Sequence, residues 1–393
     1  MAIQIATVGI HYADCDAIYS GRTMTSSYNL DHLFAQKSLV KNGLPAATYL
    51  DEQFYEIENN TLFARTWVFV GFAHELSKRG DVCPVSVAGK PFFLVRNNED
   101  KITAFHNVCR HRCLKLVDQS GNSGQLIKCP YHSWVYDLTG SLKAAPYFGG
   151  KDRTPPEGFV LQDNGLVPVH CATWHDWVFI NVDGKAGPIE DFTAPLERQL
   201  EGIDLNQINP VATIDFGIIK TNWKALMENF IEPYHVQFVH KTTTSQPLVD
   251  HYTVLDDHCL GSACDIEETP DIDKSSTLAV TSRFLTLFPN FVMGTYAPDQ
   301  IGIHLNTPVS PGKTRQKRVI YVHQDSKISD TEIENIRNLW QEVHKEDHDI
   351  CERLQQGRVS DVAANGGLLS PHWEDSVRRF QELVAQSVSH DLS

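Results

Sequence analysis

The chain has no apolar run approaching the roughly 18 residues of a membrane-spanning helix, so none is expected. Basic residues are scarce. Lys and Arg number 34 against 49 Asp and Glu, a formal net charge of −15. That balance argues against a nucleic-acid partner and is compatible with docking a basic one. The nine cysteines are scattered rather than evenly spaced, which excludes a disulfide-stapled secreted scaffold and fits a reducing cytoplasm. Residues 1–10 lack the charged start and small-residue cleavage site of a signal peptide. No repeat or low-complexity segment stands out. Apolar residues are plentiful, 41% of 393, enough for the cores of two domains.

The most informative motif is Cys109-x-His111 followed, after seventeen intervening residues, by Cys129-x2-His132. Two thiolates and two imidazoles on two short loops form the ligand set of a Rieske [2Fe–2S] cluster, with sulfur on one iron and nitrogen on the other. A structural zinc site is the competing reading. Zinc pairs usually join like residues, as C-x2-4-C or H-x3-5-H, whereas each loop here carries one Cys and one His. The flanks alternate as strands do. Residues 85–87 and 92–95 surround the turn Ala88-Gly89-Lys90, and 102–105, 134–137 and 177–182 continue the pattern. Cys113 reads as a packed free thiol.

Residues 1–45 read as an irregular N-terminal arm. Residues 46–185 form the all-β [2Fe–2S] domain, opening with a helix within 50–67 that carries Phe54, Ile57 and Leu62. A boundary falls at Gly187-Pro188. Residues 186–393 mix long strands (281–288, 301–306, 318–323) with helices, an α+β domain of antiparallel sheet flanked by helices in a helix-grip arrangement.

That second domain holds another metal-ligand pattern. His235 and His240 are five apart, and Glu232 lies three before the first. Two histidines and a carboxylate on one face of iron leave sites open for O2. On an ideal helix, five residues would set the two histidines about 140° apart. They converge only if the helix kinks or ends between them, which Pro233 and the β-branched Val236 and Val239 favour. A third ligand is expected from a helix starting at Ser329-Asp330. Its apolar seam runs Ile336, Trp340, Val343, Ile350, Leu354, and Asp347 falls within it. An aspartate in a buried stripe is costly unless paired or bound to metal. Asp349 and then Glu346 are alternatives.

Taken together, the Rieske motif, Asn222-Trp223-Lys224, Glu228-Asn229, Tyr234-His235, His240, Glu346-Asp347 and Gln355-Gln356-Gly357 resemble the α subunit of Rieske non-haem iron oxygenases. The resemblance implies that His235, His240 and Asp347 bind a catalytic mononuclear Fe(II). It implies an NAD(P)H-dependent flavin/iron–sulfur reductase or ferredoxin as electron donor, O2 as co-substrate, and a head-to-tail homotrimer in which electrons cross between subunits. It places Glu232 between the cluster of one subunit and the iron of the next, where the family usually has Asp. Glutamate there is similar to the carnitine, choline and glycine-betaine oxygenase branch. Asn229 is either a helper near the iron or a helix cap.

The implied activity is hydroxylation or demethylation of a small organic substrate, with a quaternary ammonium compound or an aromatic ring as the two leading classes. Leu226, Phe230, Phe288, Met293 and Tyr296 are candidate pocket residues, suited to a hydrophobe or to an ammonium held by cation–π contact. The readings of a different class are a non-catalytic Rieske electron carrier and a zinc-stabilised scaffold. A carrier would need only about a quarter of this length.

Overall fold

The computed structural model describes residues 28, 30–35, 40–151, 153–243, 247–265, 281–296 and 300–392. Residues 1–27 of the expected arm lie outside them. The described part of that arm holds a short helix, His32–Ala35, and a strand, Lys41–Asn42, which pairs with Leu368–Leu369.

The N-terminal half is built on a seven-stranded antiparallel sheet. Its order is Val68–Phe72, Trp177–Asn181, Pro168–Trp174, Ile102–His106, Lys90–Arg96, Asp81–Val87, Gly121–Asn122. The hairpin at Ala88-Gly89 has both residues at positive φ (52° and 66°), the two-residue turn whose twist matches its strands. A small sheet of Leu126–Lys128, Val135–Asp137 and Leu142–Ala144 sits beside it. The helix expected within 50–67 is broken into Ala47–Leu50, Glu52–Asn60 and Leu62–Arg65.

The C-terminal half is a second seven-stranded antiparallel sheet, in the order Ile208–Ile219, Lys313–His323, Gln300–Ser310, Phe291–Tyr296, Thr281–Leu287, Cys259–Asp265, His251–Asp256. Alternation along these strands divides its two faces. Ile301, Ile303, Leu305, Val319, Tyr321, Leu285 and Leu287 share one core with Trp67 and with Phe69, Trp177 and Phe179 of the first sheet. The opposite face carries polar groups instead, His304 and Asn306 on one strand and Gln316 and Arg318 on the next, all buried. Three helices matter there: α1 (Trp223–Ile231), α2 (Val236–Val239) and α3 (Asp330–Gly357). Ser329 caps α3 in a full capping box with Glu332.

The motif Asn222-Trp223-Lys224 is structural. Asn222 caps α1 through the Lys224 N–H. The Lys224 ammonium meets Glu58 at 2.6 Å with both side chains fully buried, and the Trp223 indole N–H donates to the same carboxylate. Glu228 on the next turn accepts from Tyr49 at 2.5 Å and from Gln381 at 3.0 Å. These bonds tie the segment around residues 47–60 to α1. Lys224→Met would strand the Glu58 carboxylate without its cation, at a cost of about 3–5 kcal/mol. A large fall in Tm is expected, most of it recovered in Glu58→Leu/Lys224→Met. An equal or greater loss in the double variant would contradict this assignment.

Candidate metal centres and their cavity

The two cluster loops are one turn used twice. In the first, the Cys109 N–H donates to Leu114 O (2.8 Å) and the Cys113 N–H to Cys109 O (3.0 Å). In the second, the Cys129 N–H donates to Trp134 O (2.8 Å) and the Ser133 N–H to Cys129 O (3.0 Å). The closing residues, Cys113 and Ser133, have φ of 58° and 57°, a conformation that favours glycine. Cys113 is therefore a turn residue with an exposed free thiol. The expectation of a packed one is corrected, because the left-handed turn carries its side chain outward.

Cys109 and Cys129 are buried and unbridged. Burial pushes the Cys109 thiol up, and a hydrogen bond with Tyr136 opposes the rise. The Tyr136 oxygen accepts the Arg110 N–H at 3.0 Å, which leaves its own proton for the Cys109 sulfur at 3.3 Å. The His111 and His132 rings stand 4.5 Å apart, and His111 stacks on Trp134 at 5.1 Å. Buried thiolates require a compensating cation, and two buried sulfurs beside two adjacent imidazoles fit a cluster ligated by sulfur at one end and nitrogen at the other.

The second centre forms where α1 stops. Glu232 leaves the helix in an extended conformation, Pro233 follows, and His235 starts the single turn of α2 that His240 ends. The two histidines thus flank a one-turn helix. His235 Nε2 lies 3.5 Å and His240 Nε2 3.1 Å from Oδ1 of Asp347 on α3. One donor atom from each of the three falls within 4.8 Å of the others. Asp347 Oδ1 is buried and accepts no hydrogen bond. An orphaned carboxylate oxygen facing two imidazole nitrogens fits a divalent metal with open positions. Burial disfavours protonation of His240, but Asp347 and then Glu346 outweigh it and raise its pKa to about 9.

Each histidine is held from behind. Glu232 Oε1 meets His235 Nδ1 at 2.6 Å, and its Oε2 accepts the backbone N–H groups of Tyr234 and His235. Glu346 Oε2 meets His240 Nδ1 at 2.8 Å and accepts from the Thr243 hydroxyl. Such carboxylates fix the tautomer and aim Nε2 at the centre. Glu346 thus stands behind a ligand position rather than in it. Asp349 is exposed and pairs with Arg353.

A cavity of about 130 Å³ opens on this centre, lined by Asn229, Phe230, Phe284, Tyr296, Trp340 and Val343 among others. Of the candidate pocket residues, Phe230 and Tyr296 line it. Leu226, Phe288 and Met293 sit in three separate cores, so their placement at the cavity is corrected. Asn229 caps nothing: it lies inside α1 and lines this cavity and a neighbouring cleft. The expected seam of α3 is rotated by about one residue. His344 and Cys351 are its buried positions, while Leu354 is 46% exposed. The cause is the polar sheet face opposite, which offers Arg318 and Gln316 as partners for His344 and His348. Sequence reading missed Arg318, His304 and His344. The signal available was a charge at an inward position of an alternating strand.

A Rieske [2Fe-2S] domain model matches residues 66–155, and a model of the ring hydroxylating alpha subunit (catalytic domain) matches residues 190–390. This chain belongs to the ring-hydroxylating α-subunit family. It is the terminal subunit of a Rieske oxygenase, an oxidoreductase whose cofactors are a [2Fe–2S] cluster and a mononuclear iron. The competing readings as carrier or zinc scaffold fall with that membership. It is similar to the chloroplastic choline monooxygenase of Atriplex hortensis, 26% identical over 83% of this chain and 74% of the relative. The carnitine monooxygenase oxygenase subunit of Acinetobacter pittii is 27% identical over 87% of this chain and 94% of its own length. The fold matches that of the quaternary ammonium Rieske monooxygenase CntA in complex with γ-butyrobetaine, with a TM-score of 0.76 and 23% identity over 91% and 98% of the two chains. No helix among the described residues is long and apolar enough to cross a membrane.

Proposed function

We propose that this Rieske oxygenase hydroxylates or demethylates a small quaternary ammonium compound, and that the two sites described above are its working centres. Cys109, His111, Cys129 and His132 hold the cluster. His235, His240 and Asp347 hold the iron, and the observation that carries this is the orphaned Asp347 oxygen facing both Nε2 atoms. The division between the two domains falls near residue 185. The likeness to choline and carnitine monooxygenases supports the substrate class. When bound, the iron supplies an O2-binding centre with open positions, fed by electrons that a reductase delivers through the cluster. The chain's own residues do the rest. Phe230 and Phe284 exclude water from the cavity. Glu232 and Glu346 keep both Nδ1 atoms engaged, so that both Nε2 atoms face inward. Asn229 offers an amide at the cavity wall.

The working assembly is a head-to-tail homotrimer in the cytoplasm. Two exposed apolar regions support the trimer. Tyr131, Tyr147 and Phe148 surround the cluster end, and Leu354 and Leu368 border the cleft that Glu232 also lines. Such patches mark protein contacts. The eight described cysteines form no disulfide with one another, which fits a reducing compartment. Glu232 would join a neighbour's cluster histidine to His235. Three of its roughly four acceptor positions are used within its own loop, leaving one for an incoming N–H. Its role is to position and bridge rather than to act as a general base.

The test is Glu232→Gln. Both metal centres should remain, while cluster oxidation in a single turnover slows about 10- to 100-fold. Stopped-flow absorbance reads this directly. An unchanged rate, or full activity in a monomer, would remove the bridging role.

A further inference from the structure

Among the described residues, Arg318 is a buried cation with no carboxylate in ion-pair contact. It is 1% exposed and lines the cavity above the iron-site residues. Its Nη1 donates to two imidazole nitrogens, His304 Nε2 at 2.8 Å and His344 Nε2 at 3.1 Å. Burial, and then the charge of Arg318 itself, push His304 well below the usual histidine range, and burial acts likewise on His344. Both are therefore neutral acceptors, and neither balances the charge. Among the described residues, Nε and Nη2 form no hydrogen bond of ordinary geometry. The Tyr296 hydroxyl and the Asp347 carboxylate act on the guanidinium electrostatically, against the effect of burial. The carboxylates lining the cavity are Glu232 and Asp347, both directed at the histidines.

The sheet is shaped around this guanidinium. A Cβ on Gly302 would lie 2.2 Å from Nη2, and one on Gly294 would lie 2.2 Å from the Tyr296 hydroxyl. These glycines face each other on adjacent strands. Glycine inside a strand weakens it, so the pair marks a seat cleared for larger side chains. The guanidinium carbon lies 3.6 Å from the Trp340 ring centre and 5.1 Å from that of Tyr296. Those aromatic faces already hold a cation, so they are not free to cage an ammonium group.

We propose that Arg318 pairs with a carboxylate of the substrate in the cavity it lines, so that the substrate is an anionic or zwitterionic compound rather than a simple cation. This rests on the reading above that the cavity is the substrate site. A carboxylate supplies the missing counter-charge to a guanidinium. Its other end then extends toward His235, His240 and Asp347. A cation without a carboxylate leaves Arg318 buried and unpaired, which is strongly unfavourable.

Four compounds separate this inference from the quaternary ammonium reading: γ-butyrobetaine, its carboxamide, the neutral-headed isostere 5,5-dimethylhexanoate, and its carboxamide. Kd values are measured by calorimetry on the iron-loaded holoprotein. Within each acid–amide pair the acid should bind about 100-fold tighter, whatever the head group. Arg318→Gln should reduce both ratios to about threefold or less. Amides that bind as tightly as acids, no binding by either acid, or a preference that survives in Arg318→Gln would overturn the proposal. Should that variant not fold, the wild-type ratios still decide it. The ammonium reading is judged separately, by comparing the two acids with each other.

Discussion

His240→Ala is expected to retain the visible spectrum of the Rieske cluster and to fall from about three irons per chain to about two. Product formation should drop below detection. His240 supplies one of three donors, and its side chain is only 6% exposed. Removing it leaves His235 and Asp347, with the Glu346 carboxylate deprived of its histidine partner. Two donors do not hold a divalent iron against solvent, so the loss is of occupancy rather than of tuning. Asp347→Ala should behave the same way, since Oδ1 faces both histidines. Asp349→Ala is the control. Its carboxylate is exposed and pairs only with Arg353, so all irons and full activity should remain. Iron analysis with the visible spectrum measures both centres at once.

Cys129→Ser should abolish the cluster and with it every reductase-driven turnover. Cys129 is 1% exposed, and its backbone closes the loop: its N–H donates to the Trp134 carbonyl and its carbonyl accepts the Ser133 N–H. Serine can preserve those backbone bonds but does not replace a thiolate ligand. The turn should therefore fold, and the mononuclear iron should still load, giving about one iron per chain and no Rieske absorption. A variant that kept two cluster irons and the spectrum would show that Cys129 is not a ligand. Tyr136→Phe is a milder change at the same centre. It removes the hydroxyl beside the Cys109 sulfur, and loss of a hydrogen bond to a ligand sulfur shifts the reduction potential rather than the iron content.

The sequence was informative where chemistry imposes a spacing. Both cluster loops, the paired histidines and the place of Asp347 in a helix are legible because metal ligands must recur at fixed offsets. That no continuous helix carries both His235 and His240 is also legible, since a regular helix would separate them; the break falls at Glu232-Pro233, and the turn that follows ends at His240. The long helix was legible from its cap and periodicity, but its facing was not. Hydrophobic position normally identifies the inward side. Here the inward side meets Arg318 and Gln316, so His344 and His348 point in while Leu354 borders an exposed cleft. Pocket assignment failed for the same reason. Leu226, Phe288 and Met293 lie close in sequence to site residues yet pack into separate cores. Long-range pairings such as Lys224 with Glu58 and Tyr49 with Glu228 leave no local pattern, because each partner is set by tertiary packing alone.

The most direct test of the account is anomalous diffraction at the iron edge from crystals of the holoprotein. Iron is predicted at two places in each chain. One peak should lie between the sulfurs of Cys109 and Cys129 and the rings of His111 and His132. The other should lie among His235 Nε2, His240 Nε2 and an Asp347 oxygen, with Glu346 behind His240. Signal at both places is the expected result. A protein fully loaded with iron that shows no peak at the second place, or one held by Glu346 or Asp349 instead of Asp347, would contradict it.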